Sequence, residues 1–161
     1  MSVIALMLPL AACGSGGDDA GSTARSDDAA TAIVYFADVD GALVPEDHRV
    51  PADDVVRGAL EALAEGPTDP RLLPAVPDGT RVLDVRVDGD VVRVDLSGEY
   101  ESGYPAGGAA AELAVVAPLV HTAARAAGVD EVVVTVDGRV PAPVGSQIDF
   151  SQPLSPRDFP G

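Results

Sequence analysis

Arg81-Val82-Leu83-Asp84-Val85-Arg86-Val87 and Asp90-Val91-Val92-Arg93-Val94-Asp95-Leu96 are two runs in which apolar and charged side chains alternate, with Asp88-Gly89 between them. Period two sends successive side chains to opposite faces of an extended chain. An Asp-Gly pair between two such runs is a strong local signal for a β-hairpin. With Asp88-Gly89 as the turn, Val85 faces Val92 and Leu83 faces Val94, all four pointing to a core. Asp84 then falls opposite Arg93 on the other face, an opposite-charge pair contributing about 0.2–1 kcal/mol.

Upstream of this hairpin, Thr31 to Phe36 is β-rich and reads as a first strand, followed by a turn at Asp38-Val39-Asp40-Gly41. Leu43 to Pro51 reads as an extended connection or an edge strand, because Pro45 and Pro51 cannot donate to a ladder. Asp53 to Ala64 reads as a helix: Val56, Leu60 and Leu63 recur at helical spacing, Asp53 and Asp54 occupy its first turn, and Gly66-Pro67 stops it. Pro67 to Thr80 holds four prolines and reads as a long ordered loop. Downstream, Ser97 to Gly108 reads as a loop. Ala109 to Ala127 reads as a second helix with Leu113, Val116, Val120 and Ala124 on one face, and Pro118 is expected to kink it or to mark a new start. Glu131 to Val136 reads as the last long strand.

The order β-α-β-β-α-β gives an α+β fold, a single two-layer domain with one mixed sheet and two helices packed on one face. The organisation expected from these readings is a signal peptide over 1–12, a tether over 13–30, the folded domain over 31–153 and a C-terminal tail over 154–161.

The chain has 161 residues, which suits one domain, and 47% of them are apolar. Aromatic residues make up 4% and Trp is absent, so Val, Leu and Ala must fill the core. The formal net charge is −16, and all ten basic residues are Arg. A surface this acidic repels phosphate backbones and lacks the basic footprint of a nucleic-acid binder. It repels anionic headgroups as well, so a membrane tether must be a lipid rather than a basic patch. The absence of Lys, whose codons are AT-rich, points to a GC-rich genome.

Val3 to Ala12 is an apolar run too short to span a bilayer, which takes about 20 residues. It suits the apolar core of a signal peptide. No Arg or Lys precedes Val3, a departure from the basic start of such signals. The run ends in Leu10-Ala11-Ala12-Cys13, which resembles the bacterial lipobox. There, small residues fit the peptidase cleft, and the thiol, the one side chain here able to form a diacylglyceryl thioether, becomes the first residue of the mature chain. Two or three acyl chains anchor stably where one would be marginal. The stretch from Gly14 to Asp28 is rich in Gly, Ser and Asp and reads as a flexible tether. Cys13 is the chain's single cysteine, so no intramolecular disulfide forms.

Across Val34 to Gly138 the chain resembles the GerMN domain of spore-germination and envelope lipoproteins. The residues that carry the resemblance are Val34-Tyr35-Phe36, Leu43-Val44-Pro45-Glu46 with Arg49, Ala59-Leu60-Glu61-Ala62-Leu63 and Gly66-Pro67-Thr68. It continues through Val76-Pro77-Asp78-Gly79-Thr80, Val94-Asp95-Leu96-Ser97, Thr122, Gly128-Val129 and Val136-Asp137-Gly138. The resemblance implies an extracytoplasmic domain without catalysis, often in a lipoprotein, with a fold like the ring-building motif of secretion-type assemblies. In actinobacteria, similar domains occur in lipoproteins associated with envelope sensor kinases. Pro118 within the second helix and His121, where an aromatic is common, depart from the family pattern.

Candidate chemistry is sparse. His48 and His121 are the two histidines. His121 beside Thr122 does not form a catalytic pair, since neighbours on a helix do not face each other. Asp38, Asp40, Glu46 and Asp47 are oxygen donors of the kind that hold a hard cation. They lack the third ligand and distal Glu of an EF-hand, and no metal is expected. Gly107-Gly108 before a helix lacks the Lys of a phosphate loop. Glu99 and Glu112 are a candidate pair for a glycosidase's two acids, but nothing in the sequence fixes their separation and the aromatic platforms that sugars favour are scarce.

Tyr35, Tyr100 and Tyr104 form the candidate interaction surface, tyrosine being enriched at binding hot spots. The reading is a lipid-anchored, extracytoplasmic, non-catalytic interaction module at the cell membrane, with no cofactor and with an envelope protein as partner. A cell-wall (peptidoglycan) binding module is the alternative, through the Tyr100–Tyr104 loop; a hydrolase is the third reading. Labelling of cells with palmitate is expected to tag the protein, and Cys13→Ser to abolish the tag; an unlabelled wild type would remove the anchor.

Overall fold

A computed structural model describes residues 28–103, 108–142 and 148–159. The signal peptide, Cys13, nearly all of the tether, and Tyr104 lie outside the described residues. Among those described, the order is β1 (Ala29–Asp38), β2 (Leu43–Pro51), α1 (Val55–Glu65), β3 (Leu72–Leu73), β4 (Val82–Asp88), β5 (Val91–Leu96), α2 (Glu99–Ser102), α3 (Gly108–Ala127) and β6 (Glu131–Val136), then a 3₁₀ turn at Pro156–Asp158.

The α+β class holds, but the strands form two sheets rather than one. β2-β1-β3 is antiparallel throughout; in β4-β5-β6 the β5–β6 pair is parallel. The sheets separate because β1 pairs along its full length only with β2, and β3 meets just its last two residues.

β2 is an edge strand, and its register explains why two prolines are tolerated. The Asp38 amide donates to the Ala42 carbonyl, and Ala52 donates to Asp28, so the hydrogen-bonded positions of this hairpin are the even ones. Pro45 and Pro51 pair with Tyr35 and Ala29 at the alternate positions, where the strand nitrogen points away from its partner.

The hairpin of β4 and β5 forms, but its turn slides by one residue, so each partner lies two places further along β5 than expected and the inward faces are kept. Asp88 pairs with Val91, so Gly89-Asp90 makes the turn; Val85 faces Val94, Val87 faces Val92 and Arg86 faces Arg93. The reason lies in the turn. Gly89 adopts φ +59° while Asp90 stays out of the left-handed region, the glycine-first arrangement of a type II′ turn. An Asp88-Gly89 turn would instead demand positive φ from Asp88. Opposed Arg86 and Arg93 are neutralised by Asp84 and Asp88, at 3.0 and 3.6 Å. Between Val82 and Asp84 a bulge interrupts the ladder. Leu83 and Val87 are exposed, so Leu83 does not enter the core.

The core is built from inner faces at period two. Ala32, Val34 and Phe36 of β1, Val92, Val94 and Leu96 of β5, and Val132, Val134 and Val136 of β6 are buried together with Leu60 and Leu63 of α1 and Val116, Leu119 and Val120 of α3. Asp54 caps α1 rather than lying within its first turn, its carboxylate accepting from the Arg57 amide at 3.2 Å. α3 continues through Pro118 as one helix, although Pro118 has no N–H to give the preceding turn. Val116, Val120 and Ala124 are buried as expected, whereas Leu113 is 44% exposed.

The supposed tail is part of the fold. Leu154 exchanges two 2.8 Å backbone hydrogen bonds with Val132, lining the outer edge of β6, and Leu154 and Phe159 are buried. β1 also begins at Ala29, ahead of the expected boundary.

α1 approaches β2 so closely that a Cβ on Gly58 would stand 2.7 Å from Val50 Cβ and 2.9 Å from Pro51 Cδ. Gly58→Ala gains up to about 1 kcal/mol in helix propensity, but overpacking against a strand backbone costs about 1–3 kcal/mol. The variant should unfold at lower urea concentration than the wild type; an equal or higher midpoint would mean that α1 can move off Val50.

Candidate functional site

Two features bring the candidate residues together. The first lies on the inner face of β2. Glu46 and His48 occupy even positions, so both side chains point inward from an edge strand, each 12% exposed. The Glu46 carboxylate accepts the Thr68 amide at 3.0 Å, the Thr68 hydroxyl at 3.0 Å, the Asp69 amide at 2.9 Å and His48 Nε2 at 3.2 Å. It thereby ties the segment after α1 to the first hairpin. Partial burial pushes the Glu46 carboxyl pKa upward, but the Thr68 and Asp69 amides, the Thr68 hydroxyl and His48 outweigh it and hold the group below its ordinary 4.5. His48 also packs its ring 5.9 Å from that of Phe36.

The second feature is α3 lying along the open edge of β1. The Tyr35 amide donates to Thr122 Oγ1 at 2.9 Å, replacing the strand partner that β1 lacks there. Tyr35 is half-buried, its ring 5.4 Å from that of His121, and His121 Nε2 donates to the Phe159 carbonyl at 2.8 Å. Adjacent on α3, His121 and Thr122 thus serve different partners.

The remaining candidates do not converge. Asp38 accepts the Asp40 and Ala42 amides within the first turn, each at 2.9 Å. Asp47 is exposed on the outer face, away from Glu46, and no group of three acidic, His or Cys side chains able to hold a metal occurs among the described residues. Glu112 is buried in α3 and Glu99 is exposed at the start of α2; neither lines any of the principal cavities. Gly108 opens α3 with φ +71°.

Tyr100 corrects the expected interaction surface. The loop holds a short helix, Glu99–Ser102, which carries Tyr100 into the core at 1% exposure. Its ring is not available to a partner. No local pattern in the sequence marked it as core; the short helix that carries it starts at the turn where the buried Ser97 hydroxyl accepts the Arg81 amide at 3.0 Å and the Ser97 carbonyl accepts the Tyr100 amide at 3.0 Å.

What sequence reasoning missed is an apolar trough beside α3. One cavity of about 330 Å³ lies between the outer face of the first hairpin (Ala37, Leu43) and Ala110, Leu113, Ala114 and Ala117 of α3, closed by Phe159. A neighbouring cavity of about 420 Å³ shares Leu113, Asp158 and Phe159 and extends to Ile148 and Leu154. Leu113 stands between them. Among the described residues, the charged ones lining either are Asp40, Asp149 and Asp158. Leu113 was placed at a core position by helical periodicity, which cannot tell a stripe that faces the core from one that faces a groove. Such a surface is suited to holding an apolar segment.

The profile of the Germane family, described as sporulation and spore germination, matches residues 33–141. Among solved structures, the tandem GerMN domains of the sporulation protein GerM from Bacillus subtilis align with a TM-score of 0.65 at 22% identity, covering 81% of this chain. The chain spans only 47% of that tandem structure. The first GerMN domain of the same protein aligns at 0.64 and 22% identity over 80% of this chain and 99% of its own length. A protein of Clostridium perfringens proposed to be a lipoprotein aligns at 0.56 and 19% identity, over 83% of this chain and 92% of that one. At these identities the structures share the fold. No curated protein matches the chain.

Glu46→Gln would turn an amide N–H toward the amides that the carboxylate now receives. The variant should lose about 0.5–1.5 kcal/mol of stability at neutral pH, the net contribution of hydrogen bonds whose donors, on exposed Thr68 and half-buried Asp69, can turn to water instead, measured by urea unfolding. Because the folded pKa is depressed, the wild-type contribution is complete above the unfolded value of 4.5 and is lost as pH falls through the lower folded value. The difference between wild type and Glu46→Gln should therefore shrink on acidification; a difference constant from pH 7 down to pH ~3 would refute this role.

Proposed function

Since the chain belongs to the Germane family, a family of sporulation and spore germination, we propose that it is an extracytoplasmic lipoprotein. Cys13 anchors it to the membrane, and its folded domain acts as a non-catalytic interaction module of the cell envelope.

The observation that carries the non-catalytic reading is that the polar residues suited to chemistry are spent on the fold. Glu46 holds Thr68 and Asp69, His48 donates to Glu46, His121 holds Phe159, Thr122 receives β1 and Asp38 closes a turn. Each of these groups is oriented by a bond that the fold itself uses. The anchor is supported by the apolar run ending in Ala11-Ala12-Cys13 and by the Gly-, Ser- and Asp-rich segment after it. No helix among the described residues is long and apolar enough to cross a membrane, and the similar Clostridium perfringens protein is itself proposed to be a lipoprotein. The peptidoglycan reading loses its main support with the burial of Tyr100.

Cross-linking in living cells followed by mass spectrometry should recover a stoichiometric envelope protein, and the detergent-extracted protein should not be retained on purified peptidoglycan. Turnover of an ester or glycan that disappears on Glu99→Gln would sink the non-catalytic reading.

A further inference from the structure

We propose that the trough over Leu113 is the docking site of the module, and that its occupant is a segment of a partner protein carrying apolar side chains flanked by Arg or Lys. The proposal rests on the interaction-module reading above and names its surface and the chemistry it recognises.

The two cavities meet at Leu113, which is 44% exposed although it is a large apolar side chain on the longest helix. On either side the helix presents alanines, which let a second backbone approach closely. Two adjoining cavities suit two anchors from successive turns of one helix or from alternate residues of one strand. The charged boundary is of one sign: Asp40, Asp149 and Asp158 line the trough, and among the described residues neither cavity has a basic residue in its wall.

Charge decides between occupants. A second copy brings a formal charge of −16 to the same surface, and like charges facing each other are penalised. The segment between Cys13 and β1 carries Asp18, Asp19, Asp27 and Asp28 against a single Arg25, so it is repelled by the same rim. Anionic headgroups are repelled as well. A basic, apolar-faced segment is attracted by the field and then buries its apolar anchors.

The probe is a synthetic amphipathic peptide with Leu on one face and Lys on the flanks, titrated into the full chain bearing Cys13→Ser. Its control is a peptide of the same composition with the Leu residues scattered around the helix. The patterned peptide should bind, and Leu113→Asp should weaken it on the order of tenfold, because it puts a charge in the apolar floor even as it adds attraction for Lys. Binding of the control should be weaker and unaffected by Leu113→Asp. Leu83→Asp, on an exposed residue of β4 away from the trough, should leave both unchanged. Equal binding of the two peptides, or binding insensitive to Leu113→Asp, overturns the proposal. In cells, a photo-reactive residue at position 113 should cross-link the envelope partner. A partner captured from position 83 and not from 113 removes the trough but leaves the interaction module standing; no partner from either position removes both.

Discussion

The hydrogen bond from the Tyr35 amide to Thr122 Oγ1 stands for the constraint that organises this domain. β1 is central to its sheet, yet along most of one edge it has no strand beside it. An open edge leaves backbone donors without partners, and each such group costs about 1–3 kcal/mol if it is buried unpaired. α3 covers that edge, and a threonine supplies the acceptor that a neighbouring strand would have supplied. Once α3 lies there, His121 comes against Tyr35 and reaches the Phe159 carbonyl, which draws the C-terminal segment across the helix. The first half of α3 is then left facing the outer side of the first hairpin, and the trough exists because of that placement.

The residues shared with the GerMN pattern take their meaning from the same bookkeeping of backbone groups. Thr68 is the residue that Glu46 receives. Asp95 accepts the Thr135 hydroxyl at 2.7 Å and the Gly138 amide at 2.9 Å, joining β5 to the turn after β6. The buried Ser97 hydroxyl accepts the Arg81 amide, and Thr80 Oγ1 donates to the Pro77 carbonyl at 2.7 Å. Each satisfies a polar group in or between loops. In this chain these residues join the loops to the sheets, while most of the exposed surface is built from others.

That exposed surface is dominated by carboxylates. Most exposed ion pairs, such as Arg86–Asp84 and Arg157–Asp130, add little to stability. Their larger effect is the field they leave, since 26 acidic residues face ten arginines. An acidic field opposes the approach of a second copy and attracts basic groups, and an apolar trough adds area that a purely electrostatic contact lacks.

Local periodicity and turn chemistry sufficed for the existence of the β4–β5 hairpin, for both long helices, for the turn at Asp38 to Gly41, and for the edge position of the proline-bearing β2. These depend on residues a few positions apart, whose spacing and backbone preferences are written directly in the chain. The net charge is likewise a matter of sequence alone. Tertiary structure decided the register of the hairpin, the division into two sheets, the incorporation of Leu154 and Phe159, the burial of Tyr100 and the exposure of Leu113. Those outcomes turn on which remote segments meet. An alternating strand carries no label for the neighbour it will pair with, and an apolar helical stripe has the same period whether it faces a core or a groove.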